Sequence, residues 1–110
     1  METTYYVNGI QILQKRNYFE GKIYVIRSYK TNDIYIGSTI QPLHKRFYQH
    51  MERYRVGDIA CSSSQIIQNG DAYIELIEKF PSCSKLELVK KEREYIRKNK
   101  DICVNCFSKK

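Results

Sequence analysis

The chain has 110 residues, 42% of them hydrophobic, with 19 Lys/Arg against 12 Asp/Glu and a net charge of +7. That length suits one small domain with a single core, and the apolar content is too high for a disordered chain. No apolar run approaches the ~18 residues of a membrane span, and the N-terminus lacks a basic stretch followed by an apolar run, so a soluble, intracellular protein is expected.

Residues 5–13 read as two short strands around Asn8-Gly9, a dipeptide that favours a two-residue hairpin turn. Residues 1–20 are accordingly expected to form an extension ahead of a main domain at 21–110. Residues 22–29 and 34–38 are rich in β-branched and aromatic side chains and predict a strand pair. With Lys30-Thr31-Asn32-Asp33 as the connection, Tyr35 falls opposite Ser28. Side chains alternate with period two, so Tyr24 and Tyr35 share one face. Ile23, Val25, Ile34 and Ile36 point the other way, toward a core.

Residues 42–55 predict a helix with Pro42 at its first position. Leu43, Phe47, Met51 and Tyr54 form its apolar stripe. Arg46 and His50 are four apart, so they stack on one side of it. Residues 62–69 predict a short helix, capped by Ser62 or Ser63 and stopped by a left-handed Gly70. Residues 72–80 alternate as a third strand, with Ala72, Ile74, Leu76 and Phe80 on one side, until Pro81 ends it. Ser84-Lys85-Leu86-Glu87 is a capping box that opens a helix running to about residue 99. The last ten residues are expected to be irregular. The sum is an α+β fold: a small, mainly antiparallel three-stranded sheet flanked by helices, with an extra N-terminal hairpin.

Charge is unevenly placed. Residues 15–55 hold nine Lys/Arg against three acids, residues 84–110 nine against four, and residues 56–83 one against four. Such basic blocks are either solvated helix faces or a phosphate-facing surface, because polyanions reward clustered Lys/Arg through counterion release. Cys103 and Cys106 form a lone C-x-x-C, with Cys61, Cys83 and both histidines elsewhere. That is not the paired pattern of a structural zinc site, and the four thiols read as small buried hydrophobes.

Four short motifs remain: Lys22-Ile23-Tyr24, Tyr35-Ile36-Gly37-Ser38-Thr39, Leu43-x-x-Arg46-x-x-x-His50, and Glu92-Arg93-Glu94-Tyr95 with Asn105 after it. In order and spacing, from Gly21 to about Phe107, they resemble the GIY-YIG nuclease family. The first motif departs from the family at Lys22, where glycine is usual, and keeps the tyrosine. The resemblance implies an endonuclease that hydrolyses DNA phosphodiester bonds with one divalent cation, Mg2+ or Mn2+. It implies catalytic roles for Tyr24, Tyr35, Arg46, His50, Glu94 and Asn105, with Glu94 as the metal ligand in preference to Glu92. Tyr24 would activate the attacking water, with Tyr35 and His50 in its hydrogen-bond network.

The chemistry of these residues fits that role. Added negative charge on a phosphate needs a Lewis acid held by a carboxylate, and arginine can clamp a phosphate oxygen with a bidentate fork. A free phenol near pKa 10 is a poor base at neutral pH, so Tyr24 needs a nearby cation and a hydrogen-bond partner. Asn105 would tie the C-terminal loop to the site, and Gly37 would give the backbone room near Tyr35. Gly37, Lys45 and Arg53 join Arg46 as candidate DNA contacts. A basic domain without an evident sequence-reading module would contact backbone and shape more than base edges, as a homodimer or with a specificity-giving partner protein. The alternative is a catalytically inactive nucleic-acid-binding protein on the same fold. A zinc-stabilised interaction module built on the cysteines is a third reading.

Overall fold

The structure is a computed structural model that describes residues 2–7, 10–15, 17–58 and 61–105, with side chains described from residue 17 onward. Strands β1 (Glu2–Val7) and β2 (Ile10–Lys15) pair antiparallel, Val7 opposite Ile10. The expected turn at Asn8-Gly9 lies outside the described residues. A single 3-10 turn, Tyr18–Glu20, leads into a three-stranded antiparallel sheet of β3 (Lys22–Ser28), β4 (Thr31–Thr39) and β5 (Tyr73–Lys79), in the order β4-β3-β5. Between β4 and β5 come α1 (Leu43–Arg55) and α2 (Ser64–Ile67), and α3 (Lys85–Lys98) follows β5. The α+β architecture is the one the sequence pattern predicts. Among the described residues no helix is long and apolar enough to cross a membrane.

Strand β3 is central, so both of its faces are covered and Ile23, Tyr24, Val25 and Ile26 are all buried. Ile23 and Val25 join Ile34, Ile36, Leu88 and Ile96 in a core against α3. Tyr24 and Ile26 join Ile66, with Tyr35, Leu43, Phe47 and Ile74 packed around them, in a second core against α1 and α2. The division of faces is as expected, but the register differs. The turn is only Tyr29-Lys30, β4 starts at Thr31, and Tyr35 pairs with Ile26 rather than Ser28. A slip of two residues leaves every side chain on its face, which is why the tyrosines still meet.

Strand β5 breaks its alternation. Ile23 pairs with Glu78 and Tyr24 with Leu76, so Ile77 is an extra residue in a bulge. Ala72 and Ile74 pack on the α1 side, whereas Ile77 and Phe80 pack on the α3 side. The expected single stripe of Ala72, Ile74, Leu76 and Phe80 does not form, and Leu76 is exposed.

Helix α1 begins one residue later than expected, with Pro42 as its N-cap. Only the first half of its apolar stripe is used: Leu43 and Phe47 pack against the sheet, while Met51 and Tyr54 are each 41% exposed. In α3, Ser84 Oγ accepts from the Glu87 amide as the capping box requires. The reciprocal bond goes from the Cys83 amide to Glu87 Oε1, one residue earlier than in the standard box. Gly70 takes the left-handed φ of 88° expected after α2.

Of the last ten residues, expected to be irregular, 101–105 form turns with one bridge, and 106–110 lie outside the described residues. Ile34 N donates to Ile102 O and Val104 N to Ile34 O, each at 2.8 Å, which makes a parallel bridge on the outer edge of β4. This covers the middle of that sheet edge. Of the thiols expected to be buried, Cys103 is, Cys61 is half-buried and Cys83 is exposed; Cys106 lies outside the described residues.

Candidate active site

The site grows from the point where β3 crosses β4 at Tyr24 and Gly37. A Cβ on Gly37 would lie 2.4 Å from the Tyr24 hydroxyl oxygen and 2.5 Å from Cζ. Glycine is therefore what allows the Tyr24 ring to lie over β4. The room it provides serves Tyr24, not Tyr35 as the sequence suggested.

Helix α1 brings the next two groups. His50 is its only buried residue, at 2% exposure, and its Nε2 lies 2.8 Å from the Tyr24 hydroxyl. One turn earlier, Arg46 donates from Nε to that hydroxyl at 3.1 Å and from Nη1 to Gln49 Oε1 at 3.0 Å. The expected bidentate fork is thus partly committed inside the protein, and the remaining guanidinium donors are those a phosphate can use. Tyr35 packs edge-on to His50 at 5.1 Å and lies 6.4 Å from Tyr24, centroid to centroid. Behind His50, Nδ1 lies 2.7 Å from Ser63 Oγ, and Ser63 Oγ lies 3.2 Å from Cys61 Sγ.

The carboxylate comes from α3, and it is Glu92. Its Oε1 accepts from Ser38 Oγ at 2.5 Å, directly beyond Gly37. Its charge is felt by Tyr24, Tyr35 and Arg46. Glu94 lies about 200° further round the helix, because two residues advance by that much. It is 49% exposed, accepts from Lys91 at 3.4 Å, and borders a shallow surface depression with Arg97 and Lys98. The structure therefore places the acid expected to hold metal outside the tyrosine group, and brings in the one set aside. A helical signal for this was present. Leu88, Glu92 and Ile96 are spaced by four, and Leu88 and Ile96 are buried.

Asn105 bonds to the backbone of Ile36 rather than to Tyr24, Arg46 or His50. Its Nδ2 donates to Ile36 O at 2.5 Å and its Oδ1 faces Ile36 N at 3.5 Å, so it clips the C-terminal segment to the strand carrying Tyr35 and Gly37. Lys45 is exposed on α1. Arg53 is exposed near its end, with Nη1 3.9 Å from Cys61 Sγ. A cleft of about 390 Å³ opens beside Arg46 and Ser38, with Gln41, Gln49 and Lys85 among its polar lining. Lys22, the departure in the first motif, gives its ammonium to the backbone oxygens of Glu20 and Gln41.

Burial governs the protonation of the site. It raises the Tyr24 phenol, an effect opposed by the charge and hydrogen bond of Arg46. It raises Tyr35 further, with the neighbouring Tyr24 adding to it. His50 is pushed down to about 4, by burial first and then by the charges of Arg46 and Arg53, so the ring is neutral at neutral pH. Burial raises Glu92, and the Ser38 hydrogen bond pulls it back. Among the described residues no three His, Cys, Asp or Glu side chains gather as a metal cluster. A cation here would rest on one protein carboxylate, with water and phosphate oxygens completing its shell, which magnesium accepts. A carboxylate has a second oxygen to offer beyond the one Ser38 occupies, so the donor set fits.

A family model described as the GIY-YIG catalytic domain matches residues 20–105. The chain belongs to the GIY-YIG family. No curated protein and no solved structure matches it. The GIY-YIG match spans every residue of the group just described, and it places the chain in a nuclease-type family of endonucleases.

Proposed function

We propose that this GIY-YIG domain hydrolyses DNA phosphodiester bonds with the help of a divalent cation, Mg2+ or Mn2+. The observation that carries the reading is the buried hydrogen-bonded chain of Arg46, Tyr24 and His50 beside the half-buried Glu92 carboxylate.

Each residue has a chemical task in this reading. Arg46 can only donate, so the Tyr24 oxygen accepts from it and its own hydrogen is offered to His50 Nε2. As a water attacks phosphorus, Tyr24 takes the water's proton and passes its own to His50. Arg46 stabilises the negative charge that passes through the phenol. A cation held by Glu92 would, when bound, stabilise charge added to the phosphate and draw the Tyr24 phenol downward. Tyr24 is 0% exposed, so Arg46 must shift toward the cleft it lines before the phenol meets water. A phosphate in that cleft supplies the attraction. Lys85 and Lys45 would hold flanking phosphates as point charges, and Arg53 would do so through its guanidinium fork.

The full burial of Tyr24 is also the one observation that favours an inactive, nucleic-acid-binding domain. Plasmid nicking by wild type and Tyr24→Phe, in Mg2+, in Mn2+ and in EDTA, separates the two readings. Metal-dependent cutting by the wild type alone supports the nuclease. DNA binding without cutting under all three conditions leaves the binding reading in its place.

A further inference from the structure

We propose that Ser63 is a positioning residue that fixes the tautomer of His50, and with it the direction in which the Tyr24 proton can move. The proposal rests on the nuclease reading above.

Ser63 stands at the N-cap of α2, where a serine side chain ordinarily accepts from an amide in the first turn. Here it makes no such bond. The hydroxyl is instead turned to His50 Nδ1 at 2.7 Å, in a residue that is 0% exposed. A local rule set aside at a fully buried position marks a site with another task.

The hydrogens of the chain can be placed in order. Arg46 Nε donates to the Tyr24 oxygen, which leaves the Tyr24 hydrogen for Nε2. Nε2 must then carry the lone pair. His50 is neutral at neutral pH, so its single ring hydrogen sits on Nδ1. That hydrogen needs an acceptor, and Ser63 Oγ is the one in place. Ser63 in turn can donate to Cys61 Sγ at 3.2 Å. Every donor runs the same way, from Arg46 through Tyr24 and His50 to Ser63 and Cys61.

Without the serine oxygen, the next group near Nδ1 is Cys61 Sγ at 3.9 Å, a weak acceptor. The ring is then free to carry its hydrogen on Nε2. In that tautomer two donors meet the Tyr24 oxygen, and the phenol has no base for its proton. Ser63 thus does for His50 what the carboxylate of a hydrolase triad does for its histidine.

The test is the ring-nitrogen NMR spectrum of the full chain, with single-turnover nicking beside it. His44 and His50 are the two histidines, and a His44→Gln background leaves His50 alone in the spectrum. The wild type should show Nδ1 protonated and Nε2 unprotonated. Ser63→Ala should shift population to the Nε2–H form and slow the cleavage step at least about tenfold, with plasmid affinity changed by less than about twofold. Ser63→Thr should restore both, because it keeps the hydroxyl. A wild type carrying its hydrogen on Nε2 overturns the proposal, and so does a Ser63→Ala protein that keeps the Nδ1–H form and its rate. Should Ser63→Ala not fold, the wild-type and Ser63→Thr spectra still decide. The spectra do not depend on cleavage, so a wild type that cuts nothing sinks the nuclease reading, and with it the catalytic role of Ser63, while the spectra still decide whether Ser63 sets the His50 tautomer.

Discussion

Helices α1 and α3 cover opposite faces of one sheet, and each carries a polar residue among its inward-facing positions. Helix α1 buries His50, which has a hydrogen-bond partner at each ring nitrogen and is held neutral. Helix α3 carries Glu92 between buried Leu88 and Ile96, with Ser38 as its hydrogen-bond partner and burial raising its proton affinity. One group is satisfied by the fold and the other is left under electrostatic stress. A satisfied buried network supports stability. A stressed carboxylate is one that a cation or a substrate is placed to relieve.

Substitution at the two positions should therefore differ in kind. Glu92→Gln should lower single-turnover DNA cleavage by at least about a hundredfold. Its thermal stability should stay within about 0.5 kcal/mol of wild type, or rise. A melting curve beside the cleavage assay reads both. His50→Ala should slow cleavage too, but it should also destabilise the fold by ~2–4 kcal/mol, because Tyr24 and Ser63 lose their partner inside the protein. If Glu92→Gln proved the more destabilising of the two, the contrast would be broken.

The pH dependence of stability sharpens the same contrast. The folded-state pKa of His50 is lowered from 6.5 to about 4. Its contribution is present above 6.5 and is lost as pH falls through that window, with a magnitude on the order of 3 kcal/mol. The Glu92 pKa is raised, so its contribution has the opposite sign. It is present at low pH, below the unfolded pKa, and is lost as pH rises through the folded value. Denaturation series on His50→Gln and Glu92→Gln from pH 4 to 7 should remove these two trends separately. The acid-side loss of stability should disappear in the first variant and persist in the second.

Gly37→Ala forces a methyl group deep inside van der Waals contact with the Tyr24 ring. It should cost ~1–3 kcal/mol by overpacking and reduce cleavage through the displaced phenol; calorimetry and nicking report the two effects. The smallest change is expected at Glu94. It lies on the solvent side of α3 with a surface ion pair to Lys91, so Glu94→Ala should alter stability by no more than ~0.5 kcal/mol and leave the cleavage rate unchanged.

The sequence carried some of this and lacked the rest for physical reasons. The two faces of β3 and β4 were legible because alternation with period two survives a two-residue slip of register. The register was not, because a chain with Tyr29-Lys30 at the turn and one with a four-residue loop share the same pattern. The bulge at Ile77 was hidden, since the Ile and Leu side chains around it suit either face of β5. Arg46 and His50 were legible as a pair from their helical spacing. Choosing between Glu92 and Glu94 required weighing the Leu88-x-x-x-Glu92-x-x-x-Ile96 spacing over the motif. Ser63 was legible only as a helix cap, because nothing local indicates that His50, thirteen residues earlier, would claim its hydroxyl.

The most direct test of the central claim is single-turnover plasmid nicking in Mg2+ by wild type, Glu92→Gln and Glu94→Gln side by side. The geometry predicts that Glu92→Gln abolishes cutting and that Glu94→Gln cuts at the wild-type rate. Loss of cutting in Glu94→Gln with Glu92→Gln still active would contradict it, and would return the carboxylate role to the exposed face of α3.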